Sequence, residues 1–319
     1  MRPTLTAALV GRRIPPQGGV GEMEDRVADL RARWTPEATA AAVAFLEQRP
    51  TAFDLPTMEQ GGRTYLDLRG LRVEETQIDK CFLKNVNLRW ATFRDVGFKN
   101  ARFVDCNFSQ AGFEACYLRR AQFEKCDLVN SHFDNCDFSQ ATIAESRLDF
   151  ARFSDCEIGL QNIRFRQDSG EQAMVRVLRS LKLNSMSMGN FADAGELTYL
   201  EKKHERRAYY ARREWGHWLA SLLQDLFWGY GEKPWRLAAV MLANIVIFGS
   251  ILYAIQGLPG DKTFWEYVYF SGITYLTVGY GDLAPDPGLA RLISVLNAAT
   301  GIGTFGMLIA AVTKKIMYR

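Results

Sequence analysis

From residue 68 to residue 163 a large apolar side chain stands at every fifth position without a break. The register runs Leu68, Val73, Ile78, Leu83, Leu88, Phe93, Phe98, Phe103, Phe108, Phe113 and onward through Phe133 and Phe153 to Ile158 and Ile163. Two positions earlier the side chain is usually small, as at Ala91, Ala101, Ala111, Ala121, Ser131 and Ala141. An amphipathic helix repeats about every 3.6 residues and a half-buried strand about every two, so this segment is neither. A five-residue unit cannot bury its apolar side chain alone; stacking on its neighbours supplies the core. All six cysteines (Cys81, Cys106, Cys116, Cys126, Cys136 and Cys156) occupy the small position. Cysteine there behaves as a small buried hydrophobe. His132, His204 and His217 are too scattered to complete a metal site with them. Reduced thiols suit a cytosolic compartment.

Over residues 66–163 the sequence resembles the pentapeptide-repeat family. The resemblance implies a right-handed quadrilateral β-helix in which four five-residue faces close one coil. Positions twenty apart then stack, placing Phe93, Phe113, Phe133 and Phe153 in one aromatic ladder. About five coils at ~4.8 Å each make a rod of about 24 Å. Some members of that family are acidic mimics of DNA that bind topoisomerases. Here residues 67–102 carry eight basic and five acidic side chains, whereas residues 105–157 carry five basic and ten acidic. That polarity weakens the mimic reading. It leaves a solvated face that keeps the solenoid soluble, or a docking surface for a neighbouring subunit or another partner. The sequon Asn107-Phe108-Ser109 falls inside the repeat register and is read as coincidence.

Residues 1–24, with Pro15-Pro16 and Gly18-Gly19, read as a mobile lead-in with no signal peptide, because the apolar run at 5–10 is too short for one. Thr35-Pro36 is an N-cap and first helical residue for a short helix reaching Arg49-Pro50. Beyond Ile163 the five-residue register gives way to helical spacing at Val175, Leu178 and Leu181, then a turn at 186–190 and a second helix over 194–215. That helix carries Lys202, Lys203, Arg206, Arg207, Arg212 and Arg213 among Tyr199, Tyr209, Tyr210 and Trp215. Basic residues among aromatics suit nucleic acid. Directly before an apolar span they suit anionic lipid on the cytoplasmic side, and no nucleic-acid partner is expected. Residues 215–228 read as an interfacial amphipathic helix ended by Gly229-Tyr230-Gly231.

Residues 235–255 form a 21-residue apolar stretch interrupted by Arg236 and Asn244. At about 1.5 Å per residue it covers about 31 Å, enough to cross a bilayer. A second stretch, 289–313, is bounded by Arg291 and by Lys314-Lys315. Basic residues lie before the first span and after the second. This predicts a multi-pass protein of the plasma (inner) membrane with both termini cytoplasmic and residues 257–288 facing outward. The aromatic segment 264–276 suits a re-entrant helix, and Thr277-Val278-Gly279-Tyr280-Gly281-Asp282 follows it.

On that motif and its flanking spans, residues 235–317 resemble the two-span potassium-channel pore. The resemblance implies a homotetramer around one pore, with K+ as the permeant ion, at Thr277, Val278, Gly279 and Tyr280, and no other cofactor. Backbone carbonyls and the Thr277 hydroxyl replace the ion's hydration shell. Gly279 and Gly281 allow carbonyls to turn where a side chain resists, and Asp282 supports the filter. Gly301 falls at the family's inner-helix bend and serves as a hinge or as a packing glycine. Ile302, Phe305 and Ile309 are expected to face the cavity, with Thr313 at the inner gate. Tyr269 and Phe270 stand where the family often has paired tryptophans, and Ile273 where some members carry a carboxylate.

No span carries regularly spaced cations, so a voltage sensor is not expected. The sequence ends four residues after Lys315, so control is expected from the N-terminal side. The division read from the sequence is a lead-in and short helix at 1–62, the β-helix at 63–165, a helical linker and interfacial helix at 166–230, and the pore at 231–319. No nucleophile elbow, phosphate loop or metal-ligand spacing is present, so the chain reads as a channel subunit regulated by its solenoid rather than an enzyme. A membrane-tethered scaffold, with the solenoid as its main working part, is the other reading.

Overall fold

The computed structural model describes residues 20–48, 55–165 and 170–317. Its contacts fall into two compact units, one of residues 1–147 with 162–165, the other of residues 148–161 with 166–319. Of the expected lead-in, residues 1–19 lie outside the described residues. Its last residues are not lead-in but the start of a helix, α1 (Val20–Ala32). A second helix, α2 (Pro36–Leu46), starts where Thr35 Oγ1 accepts from the Ala38 N–H at 3.2 Å, with Pro36 at its first position.

In the first unit the repeat becomes stacked parallel strands. Phe93 is in register with Phe113, and Phe113 with Phe133; Leu83 is in register with Phe103, and Phe103 with Phe123. Each step is twenty residues, so the coil has the expected length. The inward rings stack, Phe93 on Phe113 with centroids 5.0 Å apart and Phe113 on Phe133 at 4.8 Å. Burying each ring stabilises the coil by roughly 1.5–3 kcal/mol. The cysteines are buried thiols in the small inward position. Burial pushes the Cys81 thiol up to about 12 and raises Cys126 as well, which keeps both protonated and inert.

The corners are a feature the periodicity does not announce. Every fifth residue is left-handed, as at Lys80 (φ 61°), Asn85 (φ 54°), Trp90 (φ 61°), Asp95 (φ 51°) and Asn100 (φ 58°). A side chain there costs about 1–2 kcal/mol. The coil offsets it with a rung: Lys80 N–H donates to Lys99 O at 2.7 Å, and Asn100 N–H to Arg119 O at 2.9 Å. Asn and Asp tolerate the region best, but Lys, Gln, Arg and Trp occupy it here too.

An open β-helix end exposes unpaired strand edges, and the first unit covers its own. The antiparallel pair Thr57–Gln60 and Arg63–Asp67 turns at Gly61 and Gly62, both left-handed. Asp67, buried in the first coil, receives Arg33 from the α1–α2 turn through two bonds of 2.9 Å. It also receives Arg69 at 2.8 and 2.9 Å. Burial alone raises that carboxyl, but the two guanidiniums outweigh it and hold Asp67 well below the usual carboxylate range.

The second unit begins with the last coil, whose strand is Arg152–Ser154. Lying over it is α3 (Glu171–Ser187), paired with α4 (Phe191–Ala211). Where a further coil would accept and donate rungs, α3 supplies side chains instead. Phe153 N–H donates to Ser180 Oγ at 3.0 Å and Cys156 N–H to Asn184 Oδ1 at 2.7 Å, while Asn184 Nδ2 donates to Cys156 O at 2.8 Å. Met174, Val177, Leu178 and Leu181 bury the apolar stripe of α3. Buried Glu201 of α4 ties the hairpin through Arg179 at 2.8 Å and Lys182 at 2.6 Å. The chain then runs through α5 (Trp215–Trp228), α6 (Pro234–Ala254), α7 (Phe264–Tyr275) and α8 (Leu289–Met317).

Candidate functional site

The helices α6 and α8 are long and apolar enough to cross a membrane. The short α7 between them opens on a capping box, in which Thr263 N–H donates to Glu266 Oε2 at 2.7 Å. The Thr-x-x-Glu spacing is a sequence signal that apolar periodicity passes over. Close backbone approach seats α7 between its neighbours. On the α6 side, a Cβ at Gly249 would stand 2.9 Å from Val268 Cα.

On the α8 side a polar seam runs along positions 297, 301 and 304, one helical face. Asn297 is fully buried, and its Nδ2 donates to Ser271 O at 3.0 Å and Ser271 Oγ at 3.1 Å. Gly301 lies against the backbone of Tyr275: a Cβ there would be 2.8 Å from the carbonyl carbon and closer still to its oxygen. Tyr275 OH and Thr304 Oγ1 share a hydrogen bond of 2.6 Å. Of the two uses the sequence leaves open for Gly301, packing has a contact to point to. A bending role concerns a motion and stays an expectation.

Beyond Tyr275 the backbone changes character. Thr277 (φ 58°), Gly279 (φ 57°) and Gly281 (φ 79°) are left-handed, whereas Val278 and Tyr280 between them are not. Alternating hand tips successive peptide planes so that their carbonyls face one side. For a β-branched residue such as Thr277 the conformation costs about 1–3 kcal/mol, the kind of strain that marks working backbone. The N–H groups are satisfied on the opposite side: Thr277 donates to Thr274 O at 3.1 Å, while Val278 and Gly279 donate to Ile273 O at 2.8 and 3.3 Å. Among the described residues no donor reaches the carbonyl oxygens of Thr277, Val278, Gly279 or Tyr280. Thr277 Oγ1 donates to Leu276 O at 2.7 Å. The far end of this loop is pinned by Tyr269, whose hydroxyl donates to Asp282 Oδ2 at 2.9 Å. That contact gives the departure from tryptophan at 269 a use that the sequence did not reveal. Along α8, Ile302, Phe305, Ile309 and Thr313 are exposed at spacings of three, four and four, a single stripe of the helix.

At the other end of these helices charged contacts join α4, α5, α6 and α8. Asp225 of α5 takes Arg206 of α4 at 2.7 Å and Arg236 of α6 at 2.8 Å. Burial raises its carboxyl, but the arginines prevail and its pKa lies below the ordinary value. Lys233 sits 3.8 Å over the Tyr199 ring, and Glu232 pairs with Lys314 of α8 at 2.5 Å. The basic run of α4 is therefore partly committed within the chain. Arg206 is bound to Asp225, Lys202 to Glu205, and Arg212 lies 3.4 Å from Glu214. The sequence suggests lipid for these cations, yet Glu205 and Glu214 lie within three residues of Lys202 and Arg212, and Asp225 reaches Arg206 from another helix. Outside this node α5 exposes Trp215, Leu219, Leu223 and Leu226.

Residues 240–318 match the family described as an ion channel, and residues 76–153 and 117–190 match the pentapeptide repeat region. Two pore potassium channel b of Oryza sativa subsp. japonica is 31% identical over 87 residues, which are 26% of this chain and 25% of that protein. Probable potassium channel protein 2 of Methanocaldococcus jannaschii is 30% identical over 86 residues, 27% of this chain and 25% of the relative. The chain thus spans about a quarter of the length of these curated relatives. Among solved structures, the pentapeptide repeat protein Rfr23 of the cyanobacterium Cyanothece 51142 aligns at 16% identity and a TM-score of 0.17, covering 31% of this chain and 87% of that one. The fold assignment rests on the coil geometry itself. Its two matched segments are thus similar to the pentapeptide repeat region and to an ion channel, and both curated relatives above are named as potassium channels.

Proposed function

We propose that this protein is a subunit of a potassium-selective channel, a passive conductor rather than an enzyme, in which four copies surround one pore. The observation that carries the reading is the alternating backbone hand from Thr277 to Gly281, with the N–H groups of Thr277, Val278 and Gly279 bonded to α7 and no donor on the carbonyls from Thr277 to Tyr280 among the described residues. Four such loops about an axis supply stacked rings of oxygens at Thr277, Val278, Gly279 and Tyr280, with Asp282 held by Tyr269 at the outer mouth. The exposed stripe of Ile302, Phe305, Ile309 and Thr313 lines the inner cavity and gate, and Gly301 is the point about which α8 bends. Both termini lie on the cytoplasmic side of the plasma (inner) membrane, a reading supported by the basic residues before α6 and after α8, and the apolar face of α5 lies in the inner leaflet with the basic run of α4 near anionic headgroups. The solenoid domain regulates conduction through the contacts that begin at its last coil and end at Lys314.

Potassium flux into liposomes containing the purified protein tests this reading. Wild type is expected to pass K+ and exclude Na+. Gly279→Ala places a Cβ on a left-handed backbone (φ 57°) and is expected to abolish the discrimination. Equal K+ and Na+ flux in the wild type, or unchanged selectivity in the variant, refutes it.

A further inference from the structure

At the N-terminal end of the first unit a cleft of about 540 Å³ lies between the two leading helices and the first coil, lined by Arg31, Ala32, Trp34, Thr39, Gly70 and Arg72. Its volume is within the range of small-molecule sites, about 300–1,000 Å³. The floor depends on Gly70. Its φ of +72° is left-handed, and a Cβ there would press on the Leu30 carbonyl oxygen at 3.3 Å. The surrounding charge is unbalanced. Arg31, Arg33, Arg69 and Arg72 lie at this end, and the single carboxylate of Asp67 pairs with two of them, Arg33 and Arg69. Arg31 and Arg72 have no carboxylate within ion-pair distance among the described residues. Burial, with the like charge of Arg72, pushes the Arg31 guanidinium down. Farther along the coil, Arg102 and Arg94 find glutamates on the adjacent coil at 3.2 Å, so an unpaired outward arginine is not a necessity of the fold.

One aromatic is fixed at the same place. Trp34 Nε1 donates to Arg69 O at 2.9 Å, which sets the indole plane. Arg33 covers the ring at 4.9 Å, and the indole also lines the cleft. Two free guanidinium forks beside a held indole and the Thr39 hydroxyl are complementary to a molecule with anionic oxygens at one end and a flat ring at the other. We propose that this cleft binds a phosphate-bearing nucleotide, with Arg31 and Arg72 on the phosphates and Trp34 against the base. Binding removes the repulsion between the two arginines and so stabilises the cap of helices on the first coil.

Isothermal titration calorimetry on the full-length protein in detergent, at fixed ionic strength, tests the assignment with ATP, AMP and inorganic phosphate as probes. ATP or AMP is expected to bind once per chain and at least about tenfold more tightly than inorganic phosphate. Arg31→Gln and Arg72→Gln should each weaken the nucleotide by about tenfold or more. Arg72→Lys should recover only part of the loss, because an ammonium lacks the planar fork. Arg72 is on the exposed outer side of its coil, so R72Q, which also removes the repulsion on Arg31, is expected to melt at or slightly above the wild type, which separates lost binding from lost folding. No heat with any probe overturns the proposal. Nucleotide binding unchanged by R31Q and R72Q places the site elsewhere and overturns it too. Phosphate binding as tightly as ATP and AMP refutes the nucleotide as the ligand class.

Discussion

Gly301→Ala separates a packing glycine from a purely flexible one. Within one subunit the new Cβ would be 2.8 Å from the Tyr275 carbonyl carbon and 3.1 Å from its Cα, and nearer to the carbonyl oxygen. An ordinary carbon contact is about 3.5–4.0 Å, so α7 and α8 must part by roughly 1 Å or more. The obstacle is backbone, which cannot swing aside as a flexible side chain does. Overpacking of this kind typically costs 1–3 kcal/mol, against a gain of about 1 kcal/mol from replacing glycine by alanine inside a helix. The expected net loss is up to about 2 kcal/mol, toward the upper end because the obstacle is backbone, and the Tyr275–Thr304 hydrogen bond of 2.6 Å lengthens with the separation. Gly303→Ala and Gly306→Ala are the internal controls, since a Cβ at either meets nothing within 4 Å in the chain. Thermal unfolding of the three variants in one detergent, with wild type alongside, decides the matter. G301A should melt below wild type, and the two controls at or above it. If G301A melts with G303A and G306A, the close approach is not limiting and the packing argument fails.

Asn184→Ala strips the last coil of its cap, removing the amide that bonds both the N–H and the carbonyl of Cys156. The expected cost is about 2–5 kcal/mol, seen as a lower denaturant midpoint and faster amide exchange at Cys156; unchanged exchange there counts against the cap. Asp67 gives a pH dependence. Its folded pKa is depressed below the unfolded value of about 3.9, so its stabilisation is complete above about pH 4 and fades as acidification proceeds below it. Asp67→Asn should therefore be less stable than wild type at pH 7, with the gap narrowing below about pH 4; a constant gap refutes the assignment. Glu232→Lys should shift open probability by up to about fivefold, the equivalent of about 1 kcal/mol for a partly exposed ion pair, and adding Lys314→Glu should restore it. Single-channel recording reads both, and a double variant no closer to wild type than the single one removes this pair from gating.

The five-residue spacing of Phe93, Phe98 and Phe103 was sufficient to specify the coil, because an inward ladder leaves only one residue class tolerable at each inward position. The motif from Thr277 to Asp282 likewise marked the loop whose backbone alternates in hand. Other features were illegible for identifiable reasons. Nothing in the residue type of Lys80, Trp90 or Thr277 signals a left-handed backbone; the rungs and the α7 terminus impose it. The caps and ion pairs join distant positions, Asn184 to Cys156 and Glu232 to Lys314, and no local pattern couples such residues. Arg206 reads as one of a basic run until Asp225 is folded against it. The start of α1 at Val20 was missed because Gly18-Gly19 and Pro15-Pro16 dominate the reading of that stretch.

The left-handed corners set the terms on which this solenoid can change length. Because a corner falls at every fifth residue and residues twenty apart stand in register, the chain behaves as if written in words of fixed size. Losing one residue between Phe93 and Phe113 rotates every later side chain by one place, sending phenylalanines to solvent and polar residues inward. Losing five restores the inward positions but displaces every rung by one face. Only a change of twenty keeps both, adding or removing one whole coil while the capped first end is untouched. Length variation in the first unit is therefore quantised, and small insertions are tolerated only as loops expelled at a corner.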